Sequence, residues 1–271
     1  MNRIEKVVYN SDMVQTISFR RGYSLELLFG KLVRIDDWAK GSLKAPFWRA
    51  YLPLEPGGRI LYGDGEYPME PGTLLIIPPE TDFRGIVDAP FKKAFVHFSL
   101  RIDGYSYREG VYRAGLLPAE VSAWQACFSE ARIGAPSDVF LPTATILREL
   151  HALSEAIFVP RDVDPRVSTI LDWMCRHVRA RASSAELASL VGLAPDYLTR
   201  LFHHAQGETP QESHRRLRLE EACRLLVSTP YSIKEIADRC GFSDRYHLTK
   251  HFRARWGIGP AAYRAREQGG R

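Results

Sequence analysis

Two stretches towards the end of the chain repeat one another, and that repeat limits the possible folds more than any other feature. The first runs from Glu186 to Phe202 and the second from Glu235 to Phe252. Ala188 matches Ala237 and Gly192 matches Gly241 at an offset of 49. After one inserted residue the offset is 50, pairing Leu198 with Leu248, Thr199 with Thr249, Phe202 with Phe252, Gly207 with Gly257 and Pro210 with Pro260.

Each copy carries the punctuation of a helix-turn-helix. Ser183-x-x-Glu186 and Ser232-x-x-Glu235 are capping boxes, in which hydroxyl and carboxylate satisfy the open backbone N–H groups of a helix start. Ala188 and Ala237 are small enough for two helices to approach closely. Gly192 and Gly241 end those helices in the left-handed conformation that costs glycine little. A short turn follows, and Pro195 or Ser243 opens the second helix. Leu198, Leu201 and Phe202, then Leu248 and Phe252, form its buried stripe. Between the units, Thr209-Pro210-Gln211-Glu212 begins another capped helix of about 19 residues to Ser228, roughly 28 Å long. Ala222, Leu225 and Leu226 face its core side, and Arg215, Arg216 and Arg218 face solvent. A spacer of this length holds two reading heads about one DNA turn apart, ~34 Å.

The segment from Ser232 through Phe252 to Tyr263-Arg264 resembles the signature of the AraC/XylS family of regulators, with Gly259 before Pro260 where that family often has Ser or Thr. The resemblance implies sequence-specific binding to double-stranded DNA at two successive major-groove segments per subunit. Base readers lie near the start of a recognition helix, opposite its buried stripe. They are Asp196, Tyr197, Thr199 and Arg200 in the first unit, and Asp244, Arg245, Tyr246, Thr249 and Lys250 in the second. Asp244 either caps its helix or accepts from a cytosine amine. His203, His204, Lys250, Arg253 and Arg255 are candidates for phosphate contact. The plainer reading of any of these is a solvated helix face.

The front of the chain reads differently. Trp48–Leu52, Arg59–Tyr62, Thr73–Ile77 and Lys93–Phe98 are short, apolar or aromatic runs. Glu55-Pro56-Gly57-Gly58, Gly63-Asp64-Gly65 and Glu70-Pro71-Gly72 punctuate them, and Pro78-Pro79 stops the third. Strands at this spacing predict an antiparallel sandwich or barrel over residues 15–100. Helices follow, over 118–132 and 142–158, and 159–165 is a linker. The strand pattern resembles the cupin-like sensor domain common in the same family. The predicted architecture is therefore α+β in two domains: a cupin-like sensor and dimerisation domain over 1–160, and an all-helical domain over 161–271 with two helix-turn-helix units.

Trp48, Arg49, Tyr51, Tyr62, Phe83, Arg84, Phe95 and His97 mix aromatic faces with polar tips, which suits a small polar effector such as a sugar. Alternation puts Arg49 with Tyr51, and Phe95 with His97, on one side of their strands. The other reading is an aromatic core with snorkelling arginines. A metal-dependent cupin enzyme needs two or three histidines and a glutamate at one metal. His97 is the one histidine before residue 150, so no metal cofactor and no enzymatic activity are expected.

Bulk properties agree. Residues 161–271 hold 19 Lys/Arg against 13 Asp/Glu, a net +6, while the remainder holds 18 against 19, a net −1. Positive charge gathers where phosphates would bind. Cys127, Cys175, Cys223 and Cys240 form no C-x-x-C pair, and read as reduced thiols. The opening residues MNRIEKVVYN lack a signal-peptide core, and the longest apolar run, Leu74–Ile77, is far too short to cross a membrane. The expectation is a cytoplasmic homodimeric regulator, an activator in contact with RNA polymerase and gated by a small molecule. The alternative within binding proteins responds to a protein partner or to its own abundance.

Overall fold

The computed structural model describes residues 15–19, 23–38, 41–102, 104–128, 137–180 and 182–268. The opening decapeptide and the end of the first expected helix lie outside the described residues. The chain packs as two units: residues up to Pro160 with those from Arg266 onward, and Arg161–Ala265.

The first unit holds strands β1 (Gln15–Phe19), β2 (Tyr23–Ile35), β3 (Trp48–Pro53), β4 (Gly58–Tyr62), β5 (Gly65–Pro68), β6 (Thr73–Ile77), β7 (Arg84–Val87), β8 (Phe91–Ile102), β9 (Tyr105–Tyr107), β10 (Tyr112–Gly115) and β11 (Phe158–Pro160). They form a six-stranded sheet in the order β1-β2-β8-β3-β6-β10, a three-stranded sheet β5-β4-β7 and the pair β11-β9. Among the described residues the sheets do not close into a barrel. They make a layered, cupin-like jelly roll, and strands continue past the expected limit near residue 100 to Gly115. A bulge in β2 leaves Leu28 without a partner on β8 between the pairs Leu27–Phe98 and Phe29–His97, so the odd positions pass from the helix-covered interior (Leu25, Leu27) to the other one (Phe29, Val33, Ile35).

β3 is buried along its whole length, so its two faces serve two interiors. Trp48, Ala50 and Leu52 join Val96, Phe98, Trp124, Ile146 and Ile157 on one face. Tyr51 joins Ile60, Leu75, Phe83, Phe91 and Phe95 on the other. The first interior is closed by helices α1 (Pro118–Cys127), α2 (Ser137–Ala152) and α3 (Ser154–Ile157). The helix expected over 142–158 thus begins earlier, breaks at Leu153, and gives way at Phe158 to a strand. That strand pairs with β9 (Phe158–Tyr107), a tertiary pairing that overrides the local helical spacing.

The second unit is helical: α4 (Pro165–Arg176), α5 (Ser184–Ser189), α6 (Pro195–Gln206), α7 (Pro210–Ser228), α8 (Ile233–Arg239), α9 (Arg245–Trp256) and α10 (Pro260–Glu267), the last of which ends beyond this unit. Capping boxes start α5, α7 and α8 at Ser183, Thr209 and Ser232. Leu198, Phe202, Leu248 and Phe252 are fully buried. α9 opens differently from expectation. Its cap is Asp244, and Ser243 lies one residue outside, bonded to the Asp244 carboxylate. On α7, Arg215 is exposed, but Arg216 and Arg218 are half-buried. Arg216 bonds Glu208 and Glu220, and Arg218 donates to the carbonyls of Val178 and Ala180. Cys223 and Cys240 are buried and Cys127 and Cys175 half-buried, none of them in a disulfide.

Gly192 and Gly241 adopt positive φ, +66° and +71°. A Cβ on Gly192 would meet open space, but on Gly241 it would stand 2.7 Å from the Arg179 carbonyl oxygen. Gly192→Ala should therefore cost about 1–2 kcal/mol, the left-handed penalty alone. Gly241→Ala should cost measurably more in urea unfolding. Equal losses would show that the Arg179 carbonyl yields freely.

Candidate nucleic-acid interface and sensor interior

α6 and α9 are the second helices of the two units, and each turns one side to solvent. Asp196, Tyr197, Arg200, His203 and His204 are exposed on α6, as are Arg245, Tyr246, Lys250 and Arg253 on α9 and its cap Asp244. The α6 residues, and Tyr246, Lys250 and Arg253 on α9, lie opposite the buried leucines and phenylalanines by helical spacing, whereas Asp244 and Arg245, four and three residues before Leu248, stand on the side of the buried stripe at the open start of the helix. Tyr246 is 70% exposed and its counterpart Tyr197 43%. Arg245 donates to the Tyr246 hydroxyl at 2.8 Å and lies over its ring at 4.8 Å.

Three expected readers are already engaged. Asp244 accepts from the backbone N–H of Tyr246 at 2.7 Å and of His247 at 2.8 Å. Those bonds hold its carboxyl below the usual range, as expected of a carboxylate at a helix start. The capping role expected of it is filled. Thr199 donates to the Pro195 carbonyl at 3.0 Å and Thr249 to that of Arg245 at 2.7 Å. Both hydroxyl protons are thus spent inside their own helices, at matched positions in the repeat. The expectation missed His247, exposed in the first turn of α9, whose Nε2 lies 3.0 Å from that of His251. The i, i+4 spacing of these two was legible in the chain.

The expected effector residues divide. Register sets Arg49 opposite His97 and Tyr51 opposite Phe95 across β3 and β8, so these four share one interior, with Phe83 in edge contact with Tyr51. Tyr62 packs at the margin of the same cluster. Trp48 points the other way and stacks on Phe98 under the helices, because neighbours on a strand alternate. Arg84 is exposed. Two residues the expectation omitted belong here. Lys93, two positions before Phe95, was accessible from alternation. Glu267, 218 residues from Arg49, gave no local signal.

Arg49 is 1% exposed, Lys93 4% and His97 2%. Arg49 donates to Glu267 Oε2 at 2.9 Å, and the carboxylate also accepts from Arg266. The Lys93 ammonium sits 3.7 Å from the Tyr51 ring centre and 4.0 Å from that of Trp38. Burial first, then the charge of Arg49, pushes its pKa well below the usual lysine range. The same two causes, in the same order, hold His97 well below the usual histidine range. Burial raises the Tyr51 phenol. A third feature of this unit is an open groove of about 940 Å³ lined by Leu25, Leu100, Leu147, Leu150 and Phe158 among others. Among the described residues no cluster of three or more His, Cys, Asp or Glu is placed to hold a metal ion. No described helix is long and apolar enough to cross a membrane.

Two paired heads on a capped helical scaffold, carried in one chain with a jelly-roll unit, define a DNA-binding transcription regulator. Residues 187–266 match the family model described as a helix-turn-helix domain. The chain is 34% identical over 233 residues to the uncharacterized HTH-type transcriptional regulator YidL of Escherichia coli K12, covering 82% of this chain and 77% of that protein. It is 26% identical over 215 residues to the MmsAB operon regulatory protein of Pseudomonas aeruginosa, covering 76% and 69%. ToxT from Vibrio cholerae O395 shares the fold, with a TM-score of 0.59 at 12% identity over 89% of this chain and 98% of that one. The chain belongs to the AraC/XylS family of transcription regulators.

His97 yields a pH prediction. Its folded pKa is depressed, so the unfolded chain takes up a proton near pH 6.5 that the folded one refuses. The stability linked to His97 should be full above that pH and fall as the pH drops below it. His214 in the second unit, held at about 4 by burial, acts in the same sense. His97→Gln should flatten the loss between pH 7 and pH 5 in urea titrations. An unchanged slope would mean that His97 is protonated in the fold.

Proposed function

We propose that this regulator is gated by a small polar ligand bound in the first unit, acts from the cytoplasm as a homodimer, and activates transcription through contact with RNA polymerase. One observation carries the ligand: charged and polar side chains lie buried among aromatic rings where a merely structural core would be apolar. Tyr51 and Phe95 offer faces for a sugar's C–H groups, and Arg49 and His97 offer polar tips. For self-association the support is α2, which leaves Phe140 51% and Leu147 41% exposed, Leu147 at the edge of the apolar groove. Exposed apolar surface of this kind marks association faces. A regulator blind to small molecules is favoured by a different fact: the interior is already packed and internally paired.

On DNA, Arg200 and Arg245 read guanine edges, with Asp196, Tyr197, Tyr246 and Lys250 beside them. His203, His204, Arg253 and Arg255 hold phosphates, and Thr199, Thr249 and Asp244 brace the reading helices. Arg245→Ala should cost about 1–3 kcal/mol on the preferred operator and relax preference in one half of it. Arg253→Ala should weaken all sequences alike and shallow the salt dependence. Gel-shift titrations on operator and scrambled DNA separate these outcomes. Uniform weakening by Arg245→Ala would reassign it to phosphate.

The ligand reading is tested by thermal unfolding of the full chain against sugars, sugar acids, amino acids and aromatic acids. A ligand at about 100 times its Kd adds ~2.7 kcal/mol and raises the midpoint by several degrees. No shift across the panel would favour the partner-responsive alternative. A promoter fusion that falls silent without the protein establishes activation, and one that rises reverses the sign.

A further inference from the structure

We propose that Arg49 is the receptor for the carboxylate of a small organic acid, and that Glu267 is an internal occupant of that site which such an acid displaces. The inference rests on the ligand-gated reading above and narrows its ligand class.

Arg49 and Arg266 both pair with one carboxylate, that of Glu267. Arg49 and Glu267 are both almost wholly removed from water, at 1% and 4% side-chain exposure. Across the sheet Arg49 faces His97 and Ile77, neither of them acidic. The counter-charge arrives instead from the last helix, α10, so it is separable from the site in a way that a strand residue is not. A buried guanidinium cannot lose its counter-ion without a heavy penalty. Whatever replaces Glu267 must therefore bring a negative charge. A neutral sugar cannot do so, whereas a carboxylate can accept the same hydrogen bond.

The surroundings fit a small acid. The Arg49 guanidinium lies 5.1 Å from the Phe47 ring centre and 5.3 Å from that of Phe83, so apolar walls stand beside the charge. His97 Nδ1 is buried there with no hydrogen-bond partner among the described residues, which leaves a polar atom for a ligand oxygen. Lys93 adds a second cation, held against rings rather than a carboxylate.

Removing the occupant tests the idea. Glu267→Ala deletes a group about the size of acetate, so sodium acetate and sodium propionate are the probes. Sodium chloride at equal ionic strength and propionamide, the uncharged analogue, are the controls. Thermal unfolding of the full-length variant should rise by several degrees with either carboxylate and with neither control. The wild type, where Glu267 competes, should need at least tenfold more carboxylate for the same shift. If the alanine variant does not fold in chloride, purification in acetate should recover it, and Glu267→Gln should give the same order of responses. Arg49→Met combined with Glu267→Ala should abolish the response. Equal shifts in wild type and variant, or a response to propionamide matching that to propionate, overturn the proposal. If a neutral sugar stabilises both proteins and carboxylates do nothing, the carboxylate assignment falls while the ligand-gated reading stands. Silence from every compound overturns both.

Discussion

A strand buried on both faces must divide its side chains between two interiors, and β3 is that strand. Its even positions pack under the helices, and its odd positions look into the space between the sheets. An arginine at position 49 is therefore carried out of water by geometry alone. Burying that charge without a partner would cost several kcal/mol, so the fold requires a carboxylate there. Glu267 meets the requirement from the far end of the chain. Lys93 meets the same difficulty by another route, with its ammonium against the faces of Tyr51 and Trp38, whose electron-rich centres attract a cation. Gly85 makes that arrangement possible, since a Cβ there would run into the Trp38 ring.

The second unit obeys a simpler logic. Each recognition helix is anchored by a leucine and a phenylalanine four residues apart, and closed by a glycine of positive φ, Gly207 or Gly257. Anchoring on one side leaves the opposite side polar and open, which is the condition for entering a DNA groove. The two heads are not equivalent. α6 begins with Pro195 and has no side-chain cap, whereas α9 has Asp244 bonded to two backbone N–H groups. The two helices therefore start by different means, one by proline at its first position and the other by a carboxylate cap.

What the chain alone determined was local and periodic. The repeat at offsets of 49 and 50, the three capping boxes and the left-handed glycines fixed the helix-turn-helix units, because their chemistry acts within four residues. Alternation likewise paired Arg49 with Tyr51 and Phe95 with His97, as the sheet does. The same alternation separates Trp48 from them, so the eight expected effector residues could not all line one site. Tertiary structure decided the rest. Phe158–Pro160 became a strand because β9 offered hydrogen bonds that helical spacing could not foresee. Arg216 and Arg218 were drawn from solvent by partners on other segments. Above all, the carboxylate facing Arg49 comes from 218 residues away, and no spacing rule reaches that far. Only the folded chain brings the two together, and only the absence of water there makes their pairing obligatory.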